Sequence, residues 1–238
     1  MSVAQDLADV RRRIAAAARA VGREPSDVTL VAVGKRQPLE RLWAAYDAGQ
    51  REFGESTAQG LARAGDAAQS SGRGLHWHFV GRLQTNKVKQ VLRYSPLVHS
   101  VDRLDLGEEI SKRSGEAGTE VLVQVNIGGE AQKGGVAPDE AIELAQHLAR
   151  LPRLRLAGFM AIPPVGADPQ PHFERLASLG RKLRECAEGA HARHLSMGMT
   201  DDFETAVRCG ATLVRIGTAI FGERSSTRAG AADATDAD

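Results

Sequence analysis

Val28-Thr29-Leu30-Val31-Ala32-Val33-Gly34-Lys35 is an apolar run closed by a lysine and followed at once by polar, helix-starting sequence. It reads as a buried strand with the lysine at its C-terminal lip, the place where α/β proteins put their chemistry. A partly desolvated amine held there can form a Schiff base with an aldehyde. A solvated lysine at a strand end is the competing reading, so the rest of the chain has to decide.

Working outward, short apolar runs alternate with longer amphipathic ones. The strands expected are Val28–Val33, Glu52–Phe53, His76–Val80, Leu97–Ser100, Glu120–Asn126, Leu154–Phe159, Arg193–Leu195 and Thr212–Ile216. Helical patterns fall between them near Leu39–Ala48, Ser56–Ala68, Asn86–Arg93, Leu104–Glu116, Pro138–Arg150, Pro171–Glu188 and Asp201–Cys209. Eight strands alternating with helices in a 238-residue chain predict a single (β/α)8 TIM barrel, an α/β fold. An open doubly wound sheet fits less well, because Gly34-Lys35-Arg36-Gln37-Pro38 is not a dinucleotide fingerprint. The barrel is expected over residues 1–224. The Ala-, Asp-, Ser- and Thr-rich stretch 225–238 has no apolar periodicity and is expected to be disordered.

Hydrophobic content of 42% and charged content of 26% suit a soluble domain with a substantial core. A net charge of +1 makes no electrostatic case for nucleic acid or a membrane surface. No run reaches membrane-spanning length, and no secretory segment opens the chain. Leu7, Val10, Ile14 and Val21 recur at helical spacing, so the N-terminus reads as an amphipathic first helix with Arg11, Arg12 and Arg13 on its wet face. Cys186 and Cys209 lack metal spacing and read as reduced thiols of a cytoplasmic protein.

In a barrel of this kind the loops after the last two strands hold phosphate. Here those loops supply Ser196 and Gly198, then Gly217 and Thr218, as a candidate cradle. Arg215 alternates with Val214 and Ile216, so it faces the opposite way, toward the barrel mouth. A permanent cation set against a pyridine nitrogen keeps that nitrogen unprotonated and weakens the ring as an electron sink. The competing reading pairs Arg215 with a carboxylate on the outer wall. His76 and His78 share a strand face but have no third ligand in view, so no metal is expected. Asp201 with Glu204 reads as a helix-capping pair.

Phe53-Gly54-Glu55, the block from His76 to Lys87, Val123-Gln124-Val125-Asn126 and the long block from Leu195 to Arg224 resemble the pyridoxal phosphate homeostasis proteins. The resemblance spans the chain from its first helix to Arg224. It implies a barrel like the N-terminal domain of alanine racemases, holding pyridoxal 5′-phosphate (PLP). It casts Lys35 as the Schiff-base lysine, Ser196, Gly217 and Thr218 as phosphate contacts, and Arg215 as the group facing the pyridine nitrogen. Gly198, Ser56 and His78 complete the cofactor-binding candidates. Two positions depart from the pattern: Ser56 stands where the family usually has Asn, and Gly34 where Ser is common.

The function implied is a monomeric carrier that buffers PLP for apo-enzymes with little turnover of its own. The alternative is an amino-acid racemase. Alanine racemases take a second base from a tyrosine on a second domain, and the folded part of this chain is expected to stop near Arg224. Its two tyrosines, Tyr46 and Tyr94, fall on expected helices rather than on strand-end loops.

Overall fold

The computed structural model of the chain describes residues 2–130 and 132–222. Its strands are β1 (Thr29–Val33), β2 (Glu52–Glu55), β3 (His76–Phe79), β4 (Leu97–Val101), β5 (Thr119–Val125), β6 (Leu154–Ala161), β7 (His194–Ser196) and β8 (Leu213–Ile216). They close in sequence order into a parallel barrel, with β8 returning to β1 through Thr29↔Leu213 and Ala32↔Ile216. The helices are α1 (Val3–Arg19), α2 (Leu39–Asp47), α3 (Ala58–Ser70), α4 (Val88–Leu92), α5 (Leu104–Arg113), α6 (Ala141–Ala149), α7 (Pro169–Glu185), α8 (Phe203–Arg208) and α9 (Thr218–Phe221). The chain is therefore a (β/α)8 barrel, and the open-sheet alternative is excluded by closure. Residues 225–238, expected to be disordered, and the boundary at Arg224 lie outside the described residues.

Strand alternation sorts the side chains into two layers. Leu30, Ala32, Phe53, Val98, Val123, Val214 and Ile216 face outward into the main core beneath the helices. Val31, Leu122, Ala157, Met160 and Leu213 fill one part of the barrel lumen. The remainder of the lumen is polar, holding buried His78, His99, Ser196 and Arg215.

The first helix starts on a capping box, in which Ser2 and Gln5 satisfy each other's backbone N–H groups. Its buried stripe of Leu7, Val10, Ile14, Ala17 and Ala18 packs among α2, α8 and α9. It thereby lies over the β8–β1 seam beside the short α9 that follows β8. The expectation that all three arginines face solvent holds for Arg11 and Arg12, while Arg13 is half-buried. Arg13 makes a two-pronged pair with Glu204, 3.0 Å on each arm, and lies 4.6 Å over the Phe203 ring. Arg11 stays exposed while its guanidinium reaches Gln50 at 3.0 Å, and Arg12 stays outside against Asp9.

Several local expectations are corrected. The second strand continues to Glu55 because Gly54, against Val31 and Val33, can face the lumen. The supposed capping pair is absent: Asp202 stands at the N-cap of α8 and accepts the Met199 N–H at 2.6 Å, while Glu204 is spent on Arg13. No helix among the described residues is long and apolar enough to cross a membrane.

Candidate functional site

Lys35 lies in the turn after β1, exposed at the C-terminal mouth of the barrel. The backbone on both sides of it is pinned. The Gly34 N–H donates to the Gly54 carbonyl at 3.0 Å, the Gln37 N–H donates to the Gly34 carbonyl at 3.0 Å, and Arg36 sits at φ 59°. A Cβ on Gly34 would meet the Leu42 side chain at 3.1 Å, so a larger residue needs that leucine to give by a few tenths of an ångström.

On the neighbouring strand, Gly217 precedes the short helix α9. A Cβ there would lie 3.0 Å from the Val33 carbonyl oxygen, so the close approach of β8 to β1 requires glycine. The Ile220 and Phe221 N–H groups donate to the Gly217 carbonyl. The Gly217 N–H itself has no partner among the described residues, leaving an amide donor at this mouth. The hydroxyl beside it is that of Thr200, which accepts from the Ala219 N–H at 3.4 Å. Sequence reading missed Thr200. Gly198 is buried at φ 92°, and a Cβ on it would lie 2.6 Å from the Ala206 Cβ, so it serves the packing of α8. Its carbonyl accepts the Arg215 N–H at 2.9 Å.

Arg215 points into the lumen, as its alternation predicted, and the outer-wall alternative is wrong. Its Nη1 donates to Ser196 Oγ at 2.6 Å and its Nη2 to the Ala161 carbonyl at 3.1 Å. No carboxylate pairs with it among the described residues. Burial lowers its pKa to about 10, with Asp202 alone pulling the other way. It is a caged cation with little to neutralise it.

Two candidates are not brought to the cradle. Ser196 is fully buried, and its hydroxyl is taken by Arg215 and by His99 Nδ1 at 2.8 Å. His78 lies deeper still, its Nδ1 2.8 Å from His99 Nε2 and its Nε2 2.8 Å from Glu52 Oε2. Both point inward at strand register positions that a linear motif cannot reveal. His99 itself was overlooked, although a histidine between Val98 and Ser100 in an apolar strand was a visible signal. Burial, helped by His78, Arg215 and His194, pushes its pKa well below the usual histidine range. The other Glu52 oxygen meets His76 Nδ1 at 2.6 Å. Burial alone would raise the Glu52 carboxyl, but the hydrogen bonds from His78 and His76 hold it below its ordinary value. Among the described residues, no group of three or more metal-ligating side chains is placed to hold an ion.

Ser56 follows β2 with its Oγ buried and unpartnered, lining a cavity of about 320 Å³ with Arg82 and Lys87. Its neighbour Glu55 is 1% exposed, and one of its oxygens has no partner. Burial raises its pKa to about 7, opposed chiefly by Arg63 and, less, by Lys35. Lys133, the other lysine of interest, is held by Glu130 at 2.6 Å and the Pro163 carbonyl at 3.1 Å.

The fold and this mouth define a class: a β/α barrel with a lysine at the end of its first strand and an arginine on its last. The family model for the N-terminal domain of alanine racemase matches residues 5–225, and the chain belongs to that family. The Escherichia coli K12 pyridoxal phosphate homeostasis protein is 41% identical over 95% of this chain and 98% of its own length. PipY of Synechococcus elongatus, solved with PLP bound, superposes with a TM-score of 0.81 at 30% identity, over 93% of this chain and all of its own. Alanine racemase from Corynebacterium glutamicum shares the fold, with a TM-score of 0.63 at 16% identity, over 90% of this chain and 60% of its own.

Proposed function

We propose that this chain binds PLP reversibly through Lys35 and acts in pyridoxal phosphate homeostasis, as a carrier or buffer rather than a racemase. The observation that carries the reading is Arg215: a buried guanidinium without a carboxylate partner, on the strand hydrogen-bonded to the one that ends at Lys35. When bound, the cofactor supplies an aldehyde and an electron-withdrawing pyridine ring. The residues fit such a group. The exposed Lys35 amine is free to capture the aldehyde, and the unengaged Gly217 amide at the start of α9, with the Thr200 and Thr218 hydroxyls, suits the phosphate. A guanidinium toward the ring nitrogen withholds a proton from it, which restrains proton abstraction from an amino acid.

Racemisation needs an acid/base group on each face of the substrate. Both tyrosines are engaged elsewhere, which supports the carrier reading. Tyr46 stacks under the Arg51 guanidinium at 3.9 Å, and the Tyr94 hydroxyl donates to Asp66 at 2.8 Å, in the turn after α4. As a carrier the protein would work in the cytoplasm as a monomer and pass its cofactor to apo-enzymes.

Borohydride reduction of the PLP-loaded protein followed by peptide mapping tests the anchor. The label should sit on Lys35 and vanish in Lys35→Ala; a label on Lys133 refutes the assignment. Incubation with L-alanine should give no rapid formation of the D-enantiomer, and fast turnover would restore the racemase.

A further inference from the structure

The lumen holds a polar line that anchoring a cofactor does not account for. From Arg215 it passes through Ser196, His99 and His78 to Glu52, in steps of 2.6, 2.8, 2.8 and 2.8 Å. Arg215 belongs to the last strand near Lys35's mouth. Glu52 is the first residue of β2 and borders a depression of about 480 Å³ at the opposite mouth, with His76, Glu120 and His194. The line therefore joins the two ends of the barrel.

Hydrogen-bond accounting gives it one direction. A guanidinium only donates, so Ser196 Oγ accepts. The hydroxyl's own proton needs an acceptor, and its other partner is His99 Nδ1. That leaves the neutral His99 ring with its proton on Nε2, donating to His78 Nδ1. His78 repeats the pattern, and its Nε2–H reaches the Glu52 carboxylate. Every donor finds an acceptor. The reverse sense strands the Ser196 proton whatever the charge on His78, a costly fault in a buried site. His194, the other titratable ring facing this pair, turns to Thr212 at 3.2 Å instead.

We propose that Ser196, His99, His78 and Glu52 are positioning residues for Arg215, a one-way relay tying the guanidinium at the cofactor mouth to a carboxylate at the opposite mouth. The proposal rests on the reading of Arg215 as the group facing the cofactor's ring nitrogen. Its consequence is two-way coupling: cofactor binding is felt at His78, and removal of the Glu52 charge is felt at the cofactor.

The test is ¹⁵N-histidine NMR of the full chain, first without ligand and then saturated with PLP. Without ligand, His99 and His78 should each carry the donated proton on Nε2. With PLP bound, both ring signals should shift although neither residue lies at the cofactor mouth. In Glu52→Gln, PLP should still bind, with a displaced absorbance maximum and the His99 response cut at least twofold. Ser196→Ala gives a second route: it removes the donor to Nδ1, so His99 should lose its single tautomer. A proton on His99 Nδ1 in the ligand-free protein, or rings unmoved by bound PLP, overturns the relay. If the wild-type chain takes up no PLP, the cofactor assignment fails, while the ligand-free tautomers still decide the relay.

Discussion

Replacing Glu55 with Gln should make the protein's stability less dependent on pH, by an amount the site itself sets. The folded chain holds this carboxyl at about 7, against an ordinary value of 4.5. A raised carboxyl pKa means that the folded state grips the proton more tightly than the unfolded state. Stability is then greatest below 4.5 and falls as pH rises toward 7, after which the penalty is constant. The full gap is worth roughly 3 kcal/mol, and somewhat more than half of it is crossed between pH 5 and pH 8. At 1% exposure, solvent screening gives little relief. Glutamine keeps the shape without the charge. Urea unfolding of the ligand-free protein at several pH values should therefore show Glu55→Gln gaining about 2 kcal/mol or more on wild type between pH 5 and pH 8. A difference that stays flat across that range means Glu55 ionises at its ordinary value, and the argument from burial is wrong.

Two further substitutions test the scaffold. Gly198→Ala meets both a φ of 92° and a Cβ only 2.6 Å from that of Ala206, so it should cost about 2–4 kcal/mol in urea unfolding. A cost below about 0.5 kcal/mol would show that α8 yields freely. Arg13→Ala removes both the Glu204 pair and the cover over Phe203, and should cost about 1 kcal/mol, less in high salt. A loss unchanged by salt would assign the effect to packing alone.

How much of this was legible before folding differs between fold and site. All eight strands showed in the sequence, because a strand buried on both faces is a short apolar run whatever its neighbours. Strand ends were less visible: β2 read as stopping at Phe53, since Gly54 breaks an apolar pattern while fitting the lumen against Val31. Helix α9 went unseen because four residues are too few to show a period. At the candidate site, the places of Lys35, Arg215, Gly217 and Thr218 in the fold were legible because each stands at or near a strand's C-terminal end, a position that order along the chain already specifies. Ser196 and His78 were given the wrong surroundings, and His99 and Thr200 were missed. Their partners come from strands distant in sequence, so only barrel closure and register bring them together. The hydroxyl of Thr200, for example, finds its neighbour in the Ala219 N–H with helix α8 and strand β8 between them in sequence.

The seam covered by α1 has a consequence for how the protein is made. Ribosomal synthesis delivers Thr29 long before Leu213, yet these two residues must pair for the sheet to lose its edges. Until β8 emerges, the nascent chain carries β1 with an unpaired side, and the apolar stripe of α1 lacks both α8 and α9 to lie against. The last quarter of translation is thus the interval of greatest exposure to wrong partners. Closing so remote a pair should make the final step slow relative to formation of the early β/α units. A stalled chain that ends before β8 is a natural client for chaperones.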